Sequence, residues 1–322
     1  MLFSSASEPH VAYDSLESDE LAHGECSQYY ASVSFTATAT ASERGESPTV
    51  TRLARAADGT PLLGDENGFV PLSAADPSLQ SVRDALPLAA DGELPDPAAA
   101  PADPVPASDI SFASPFAEYG KLWGIGLNYA EHASDLDEDR PTEPASFMKP
   151  SSAATGPAGP IRLPDPEITD RVTAEAELAV VFGKTCRNVD RADAEDVVAG
   201  YVPVIDMTSE DILEKNPRFL TRAKSFDSFI VFGSSIVTTD EVDDLESITV
   251  QTVLNGSVES ENEVRNMMAP PMELVSFHSD VMTFEPGDLI STGTPGATVL
   301  SPGDTVTAEV DTVGSVTSDV VR

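Results

Sequence analysis

The chain has 322 residues and 40% hydrophobic content, enough for one large packed domain with an appendage, which excludes a globally disordered protein. Its formal charge is −37, from 55 acidic residues against 18 lysines and arginines. No basic patch is available to meet phosphates, so nucleic acid and anionic membrane surfaces are excluded as expected partners.

The acids are spread along the chain, the composition of a protein that stays hydrated in a high-salt, halophile-like cytoplasm where salt screens its self-repulsion. Residues 1–48 are rich in Ser, Thr, Ala and Glu without helical or strand periodicity, and read as a disordered extension. They carry no signal-peptide pattern, and nothing further along reaches the length of a membrane span, so the expected location is cytoplasmic. Only Cys26 and Cys186 occur, which argues against a structural disulfide.

Residues 49–86 read as a small β-rich N-terminal domain: TVTRLARA, DGTPLLG and GFVPL as short strands, then a helix in LQSVRDAL. Residues 87–114 form a Pro/Ala-rich linker, and residues 115–322 a main domain of α+β, mainly β character. In that domain KLWGIGL is a buried strand, and NYAEHASDLDEDRPTE a polar helix or loop. Val172–Phe182 is a long strand, and Asp190 is expected to cap a helix through ADAEDVVA that Gly200 stops. YVPVID is a strand ending at Asp206, after which Thr208 is expected to cap a helix beginning SEDILEK. The last third is β-rich, with a hairpin signal at Asn255–Gly256 and two strands entered through Pro-Gly-Asp turns.

Two carboxylates in RVTAEAELAVVFGK raise the question of chemistry. Side chains at i and i+2 of a strand share a face roughly 7 Å apart, so Glu175 and Glu177 point the same way, with Ala179 and Val181 continuing that face into a core. Such a pair repels unless a cation sits between, and an all-oxygen set suits Mg²⁺, Mn²⁺ or Ca²⁺ over zinc. A solvent-facing strand end in an acid-rich protein is the competing reading. Asp206 adds a third carboxylate at the end of a second apolar strand, with a helix cap as its alternative role. Glu210 and Asp211 fall in a helical first turn, where the dipole favours acids.

The stretches GIGLNYAEHASD, ASFMKPSSAATGP, AEAELAVVFGK, VIDMT, LTRAKSFDSF and EPGDLISTGTPG occur in the order found in the fumarylacetoacetate hydrolase family, which the chain resembles from about Lys121 to its end. The resemblance implies a β-sandwich roll, usually a homodimer, with Mg²⁺ or Mn²⁺ held by Glu175, Glu177 and Asp206. It implies His132 as the base, with Asp135 three residues on as its partner where the family has a glutamate, on a lid that orders around ligand. Lys224 and Lys149 are two of only five lysines. They are expected beside substrate or oxyanion charge, with a local salt bridge as the alternative. Thr294, in a Gly-rich turn, is expected to meet a substrate carboxylate. Many members continue past the metal aspartate with Ala-Arg-Asp and a Gln; here Ser209, Glu210, Asp211 and Leu213 stand there, and Arg222 or Arg218 is the expected replacement cation. His278 reads as structural.

The implied substrate is a small 2-keto or 2,4-diketo carboxylate that chelates the metal, which stabilises an enolate when a bond beyond the keto group breaks. Hydrolysis of a C–C bond in an acylpyruvate leads. Isomerase or decarboxylase activity in aromatic-acid breakdown and dehydration of a 2-keto-3-deoxy sugar acid share the same intermediate. A non-enzymatic metal-binding homologue ranks last.

Overall fold

The computed structural model describes residues 51–65, 68–130, 142–157 and 159–322. The expected extension over 1–48 and the candidate dyad His132 and Asp135 lie outside the described residues. Three short strands, β1 (Arg52–Ala56), β2 (Pro61–Asp65) and β3 (Gly68–Pro71), open the described chain, followed by the short α1 (Leu72–Ala75) and by α2 (Val82–Asp91). Helix α2 starts at a reciprocal Ser81–Asp84 capping box and stops at Gly92, whose φ of +66° suits glycine. The proline-rich stretch then crosses back so that β4 (Phe112–Ala113) pairs with β1.

Strands β5 (Leu122–Gly126), β6 (Ala145–Lys149), β7 (Ala154–Thr155) and β8 (Ile161–Arg162) lead to the two long strands of the molecule, β9 (Val172–Phe182) and β10 (Val198–Ser209). Every residue of both is buried. Helices α3 (Glu210–Lys215) and α4 (Leu220–Lys224) follow, then β11 (Ile230–Phe232), β12 (Ser235–Thr238), β13 (Thr249–Leu254) and β14 (Ser257–Glu263). Helix α5 (Pro271–Val281), β15 (Leu289–Ser291), β16 (Ala297–Val299), β17 (Thr305–Val310) and β18 (Gly314–Val321) complete the chain.

The larger sheet runs β3-β2-β1-β12-β10-β9-β15-β5-β6, with β4, β7, β11 and β16 attached, and the smaller runs β14-β13-β17-β18-β8. Strands β1 to β3 therefore extend the edge of the main sheet through β12. One face of β9, carrying Ala174, Ala176, Leu178, Val180 and Phe182, packs with Val250, Val306, Ala308 and Val316 of the smaller sheet. The other face, through Ala179 and Val181, packs with Val202 and Val204 of β10 and with Leu86 and Ala89 of α2. The pair β9–β10 is thus covered on both sides, which is why its sequence is a nearly continuous apolar run. The result is a mainly β architecture with a few helices.

Several local expectations meet the structure directly. Asn255 and Gly256, at φ +52° and +83°, form the two-residue turn between β13 and β14. In each Pro-Gly-Asp turn the aspartate accepts from the backbone N–H three residues back, Asp288 from Glu285 and Asp304 from Ser301. Two expectations fail. ADAEDVVA is no α-helix: two 3-10 turns, Arg191–Asp193 and Glu195–Val197, lead into β10, which begins at Val198. Val198 pairs with Phe182, and burial of this β-branched residue in the sheet outweighs the helical acids before it. Gly200 sits at a bulge in that pairing instead of stopping a helix, and a Cβ there would lie 2.1 Å from the Val237 carbonyl oxygen. Thr208 caps nothing: it remains in β10, Ser209 precedes α3, and the Thr208 hydroxyl is used elsewhere.

Candidate active site

The register of β9 against β10 sets the site. Asp206 lies directly opposite Glu175, with Val204 opposite Glu177 and Thr208 opposite Thr173. Directly opposed residues share a face, so the third carboxylate joins the first two on one side of the sheet. Ligand oxygens of Glu175, Glu177 and Asp206 lie within 4.8 Å of one another. Glu177 and Asp206 are fully enclosed, and Glu175 is 6% exposed. No other group of three acidic, histidine or cysteine side chains comes together this way among the described residues.

Each carboxylate is held by a different device. Glu177 Oε2 accepts from the Ser291 hydroxyl at 2.5 Å and from the Gly293 N–H at 2.9 Å. Gly293 reaches it because the chain turns there at φ +98°, and an added Cβ would meet Asn128 Cβ at 2.8 Å. Asn128 ties this turn down, donating to the carbonyls of Thr292 (2.7 Å) and Ala269 (3.0 Å) and accepting from Ala269 N–H (2.9 Å). Glu175 accepts from the Thr208 hydroxyl at 2.5 Å and from Lys224 Nζ at 2.8 Å. Asp206 lies between the ammonium groups of Lys149, with which it forms an ion pair, and Lys224, at 3.4 Å.

Glu177 Oε1 nevertheless lacks a hydrogen-bond donor among the described residues, and Asp206 has its two ammonium neighbours. A buried carboxylate oxygen without a donor carries a desolvation cost that a cation removes. Oxygen-only donors at this spacing fit a hard divalent ion such as Mg²⁺, Mn²⁺ or Ca²⁺.

Burial, then the charges of Asp206 and Glu175, push the Glu177 carboxyl from its ordinary 4.5 up to about 8. Burial likewise raises Asp206, against the pull of Lys149 and Lys224. Lys149 is pushed down to about 8 by burial, while the three carboxylates hold Lys224 above its ordinary range despite burial. A carboxyl whose folded pKa exceeds its unfolded value takes up a proton on folding, so its contribution to stability is lost as pH climbs from 4.5 toward 8. A cation displaces that proton. The melting-temperature rise produced by Mn²⁺ at constant high KCl is therefore expected to widen from about pH 6 to about pH 8. A rise that stays flat or shrinks over this range contradicts the raised Glu177.

The other candidates divide. Lys224, at the end of α4, lies with Phe147 4.7 Å from its ammonium. Lys149 is deeper still: its ammonium donates to the carbonyls of Met207 (3.0 Å), Lys224 (2.7 Å) and Phe229 (2.7 Å) in addition to pairing with Asp206. All its donors are spent on the frame, which makes it an anchor for Asp206 and leaves nothing for a ligand. Thr294 is buried, and its hydroxyl closes its own turn with the Gly296 carbonyl at 2.9 Å. Arg222 is exposed and forms no hydrogen bond or ion pair with the described residues; it stands two positions from Lys224, on the opposite side of α4. His278 is buried in α5, with Nδ1 2.8 Å from the Leu274 carbonyl.

Sequence reasoning gave Thr208 a helix cap and placed Gly293 in a Gly-rich turn facing substrate, where the structure has both serving the carboxylates, and it passed over Ser291 and Asn128. Their types carry no signal by themselves, although Ser291 and Gly293 fall inside the EPGDLISTGTPG stretch already singled out. It also passed over Glu210 beyond its helical first turn. The carboxylate of Glu210 accepts from the Thr173 hydroxyl at 2.9 Å, beside the carboxylate-bearing face of β9. The larger clefts, of about 640 and 530 Å³, are lined by residues such as Arg83 and Tyr119 and touch none of the three carboxylates. The site is marked by its chemistry, not by cavity size. No helix among the described residues is long and apolar enough to cross a membrane.

Comparison with known proteins accords with this geometry. Residues 121–321 match the family described as Fumarylacetoacetate (FAA) hydrolase C-terminal. The chain is 38% identical over 205 residues to the 4-hydroxyphenylacetate degradation bifunctional isomerase/decarboxylase of Escherichia coli, a match covering 63% of this chain and 47% of that one. It is 34% identical over 223 residues to the mitochondrial oxaloacetate tautomerase fahd2 of Xenopus laevis, covering 66% of this chain and 69% of that one. The structure of maleylpyruvate hydrolase from Sphingobium sp. SYK-6, in complex with manganese (II) ion and pyruvate, superposes with a TM-score of 0.67 at 28% identity, covering 84% of this chain and 98% of that one. A family match over more than half the chain, named enzymes among its relatives and a buried oxygen triad lead to one statement: the chain belongs to the fumarylacetoacetate hydrolase family of enzymes.

Proposed function

We propose that the protein is a divalent-metal-dependent hydrolase that cleaves a C–C bond in a small acylpyruvate or 2,4-diketo acid. The observation that carries this reading is the enclosed cluster of Glu175, Glu177 and Asp206 with Lys224 against two of its members. Glu175, Glu177 and Asp206 would hold Mg²⁺ or Mn²⁺. Such an ion, when bound, accepts the carboxylate and keto oxygens of a 2-keto acid and lowers the energy of the enolate that bond cleavage releases. A maleylpyruvate hydrolase of the same fold, seen with manganese and pyruvate, supports the substrate class.

The remaining tasks fall to the chain's own groups. Ser291 and Gly293 fix one oxygen of Glu177 and so set the direction of the other. Lys149 holds Asp206 from behind, and Lys224 supplies a positive charge where negative charge develops on the substrate. His132, with Asp135 as its proposed partner, is assigned the task of taking the proton of the attacking water. The surroundings of Lys224 favour a permanently charged ammonium, suited to charge stabilisation and not to acting as a base.

A second reading, isomerase or decarboxylase, rests on the relative from Escherichia coli, and dehydration of a 2-keto-3-deoxy sugar acid would use the same groups. The deciding experiment is a panel of acylpyruvates, oxaloacetate and 2-keto-3-deoxy acids, with Mg²⁺ or Mn²⁺ in high KCl and product analysis. The expected result is release of pyruvate and a carboxylic acid from an acylpyruvate. Turnover confined to tautomerised, decarboxylated or dehydrated products rejects the hydrolase in favour of the second reading.

A further inference from the structure

Away from the triad, Arg55 of β1 is a half-buried cation that the proposed chemistry does not use. No carboxylate stands within ion-pair distance of it among the described residues. With 55 acids in the chain against 18 lysines and arginines, that absence is a property of the place and not of the composition. Arg55 Nε donates to the Ser114 carbonyl at 2.9 Å and Nη2 to the Phe116 carbonyl at 3.3 Å, while Nη1 meets no acceptor among the described residues. A charge drawn from water without a counter-ion is costly, and an anion taken from solution offsets that cost.

Arg55 lines a cleft of about 530 Å³ whose other walls are rich in donors. Ser152, in the 3-10 turn after β6, and Thr155, at the end of β7, both line it with hydroxyls that have no hydrogen-bond partner among the described residues. The Tyr119 hydroxyl is bonded to Ser114 and lies close enough to Arg55 for that charge to draw its pKa down against burial. Glu118 is the single acid among the lining residues; it is exposed, and Arg83 Nη2 sits 3.1 Å from its carbonyl. The donors stand on sheet elements: β1 is paired with β2, β4 and β12, and β7 with β11. Their geometry is therefore set before any ligand arrives.

The geometry points to a second binding site in this cleft, for a phosphoryl group held by Arg55, Ser152 and Thr155, either as free phosphate or as the end of a small phosphorylated metabolite. A phosphoryl group presents oxygens on several sides, so it can take the guanidinium from one wall and the hydroxyls from another. The cleft is larger than phosphate alone requires, which leaves room for an organic body. None of Glu175, Glu177 and Asp206 lines it, so the site is independent of the reaction proposed for the triad.

The test is calorimetry on the full Mg²⁺-loaded chain in high KCl, with inorganic phosphate and glycerol 3-phosphate as the two titrants. Wild type is expected to bind at least one of them with a Kd of about 1 mM or tighter. Tighter binding of glycerol 3-phosphate assigns the cleft to a phosphorylated metabolite, and tighter binding of phosphate assigns it to the free ion. Ser152→Asp puts a negative charge at an exposed position without a side-chain partner, and Arg55→Gln removes the guanidinium. Each is expected to weaken binding by about tenfold or more. Because Arg55→Gln also loses two carbonyl contacts, melting curves are compared, and Ser152→Asp alone decides if the arginine variant is unfolded. Affinity unchanged within about twofold in Ser152→Asp overturns the site, because the anion then sits elsewhere, such as on the triad's ion. Absence of saturable binding of both titrants up to about 10 mM overturns it as well.

Discussion

Replacing Glu177 by glutamine is expected to erase the metal-dependent rise in melting temperature while making the metal-free protein more stable. In the metal-free chain the Glu177 carboxyl is completely enclosed, faces Asp206 and Glu175, and leaves Oε1 without a donor. An amide of the same shape removes that charge, and its oxygen still accepts from Ser291 and Gly293. The metal-loaded protein responds in the opposite direction, because a neutral amide is a poor substitute for an anionic ligand. At a free metal concentration about a hundred times its Kd, wild type gains about 2.7 kcal/mol. For a domain of this size that corresponds to a rise of about 5–10 °C. Melts with and without Mn²⁺ in high KCl read both effects at once. A rise in Glu177→Gln equal to that of wild type would remove this residue from the metal site. Activity should fall by more than about a hundredfold in the same variant, because loss of a metal ligand exceeds the effect of disturbing a ligand's supporting contacts.

Replacing Lys224 by methionine should do the reverse to the metal-free protein. The ammonium is 5% exposed at the residue level and compensates Glu175 and Asp206 together. Methionine occupies comparable volume beside Phe147 but leaves both carboxylates without their shared cation. Removing one partner of a buried pair costs about 3–5 kcal/mol, most of it the penalty of the uncompensated charge. The metal-free variant should therefore melt more than about 6 °C below wild type. Metal should return part of the loss, since it restores positive charge to the same carboxylates, but activity should stay low because the charge proposed to face the developing enolate is gone. Adding Glu175→Gln removes one of the two carboxylates that lost this cation, so the double variant should be more stable than Lys224→Met alone. Strict additivity of the two losses would show that Lys224 and Glu175 are not energetically coupled.

The contrast between Lys224 and Lys149 shows why side-chain roles at this site needed the fold. Both stand out in sequence as rare lysines beside recognisable stretches, and the expectation for both was contact with substrate. The folded chain puts three backbone carbonyls around Lys149, from β10, from the end of α4 and from the residue preceding β11. Nothing in FMKPSS announces those acceptors, because they come from segments between 58 and 80 residues away. Thr208 behaves similarly. Its position before an acidic helical start invites a capping role, yet the strand runs one residue further and the hydroxyl goes to Glu175, 33 residues back.

What the sequence by itself determined was whatever depends on local backbone period and turn stereochemistry. The i, i+2 spacing puts Glu175 and Glu177 on one face of any strand they occupy, Asn255–Gly256 admits the positive φ of a tight hairpin, and the ordered stretches from Lys121 onward locate the family. Only the tertiary structure decided which groups meet those glutamates. The register of β10 on β9 brings Asp206 opposite Glu175, and the β15 strand with its following turn carries Ser291 and Gly293 to Glu177 across 114 and 116 residues of chain. It also decided that the Glu210 carboxylate, at a helix start, accepts from the Thr173 hydroxyl of β9. Pairings of that kind are selected by burial of both faces of a central strand pair, a property of the whole sheet and its two cores that no single segment encodes.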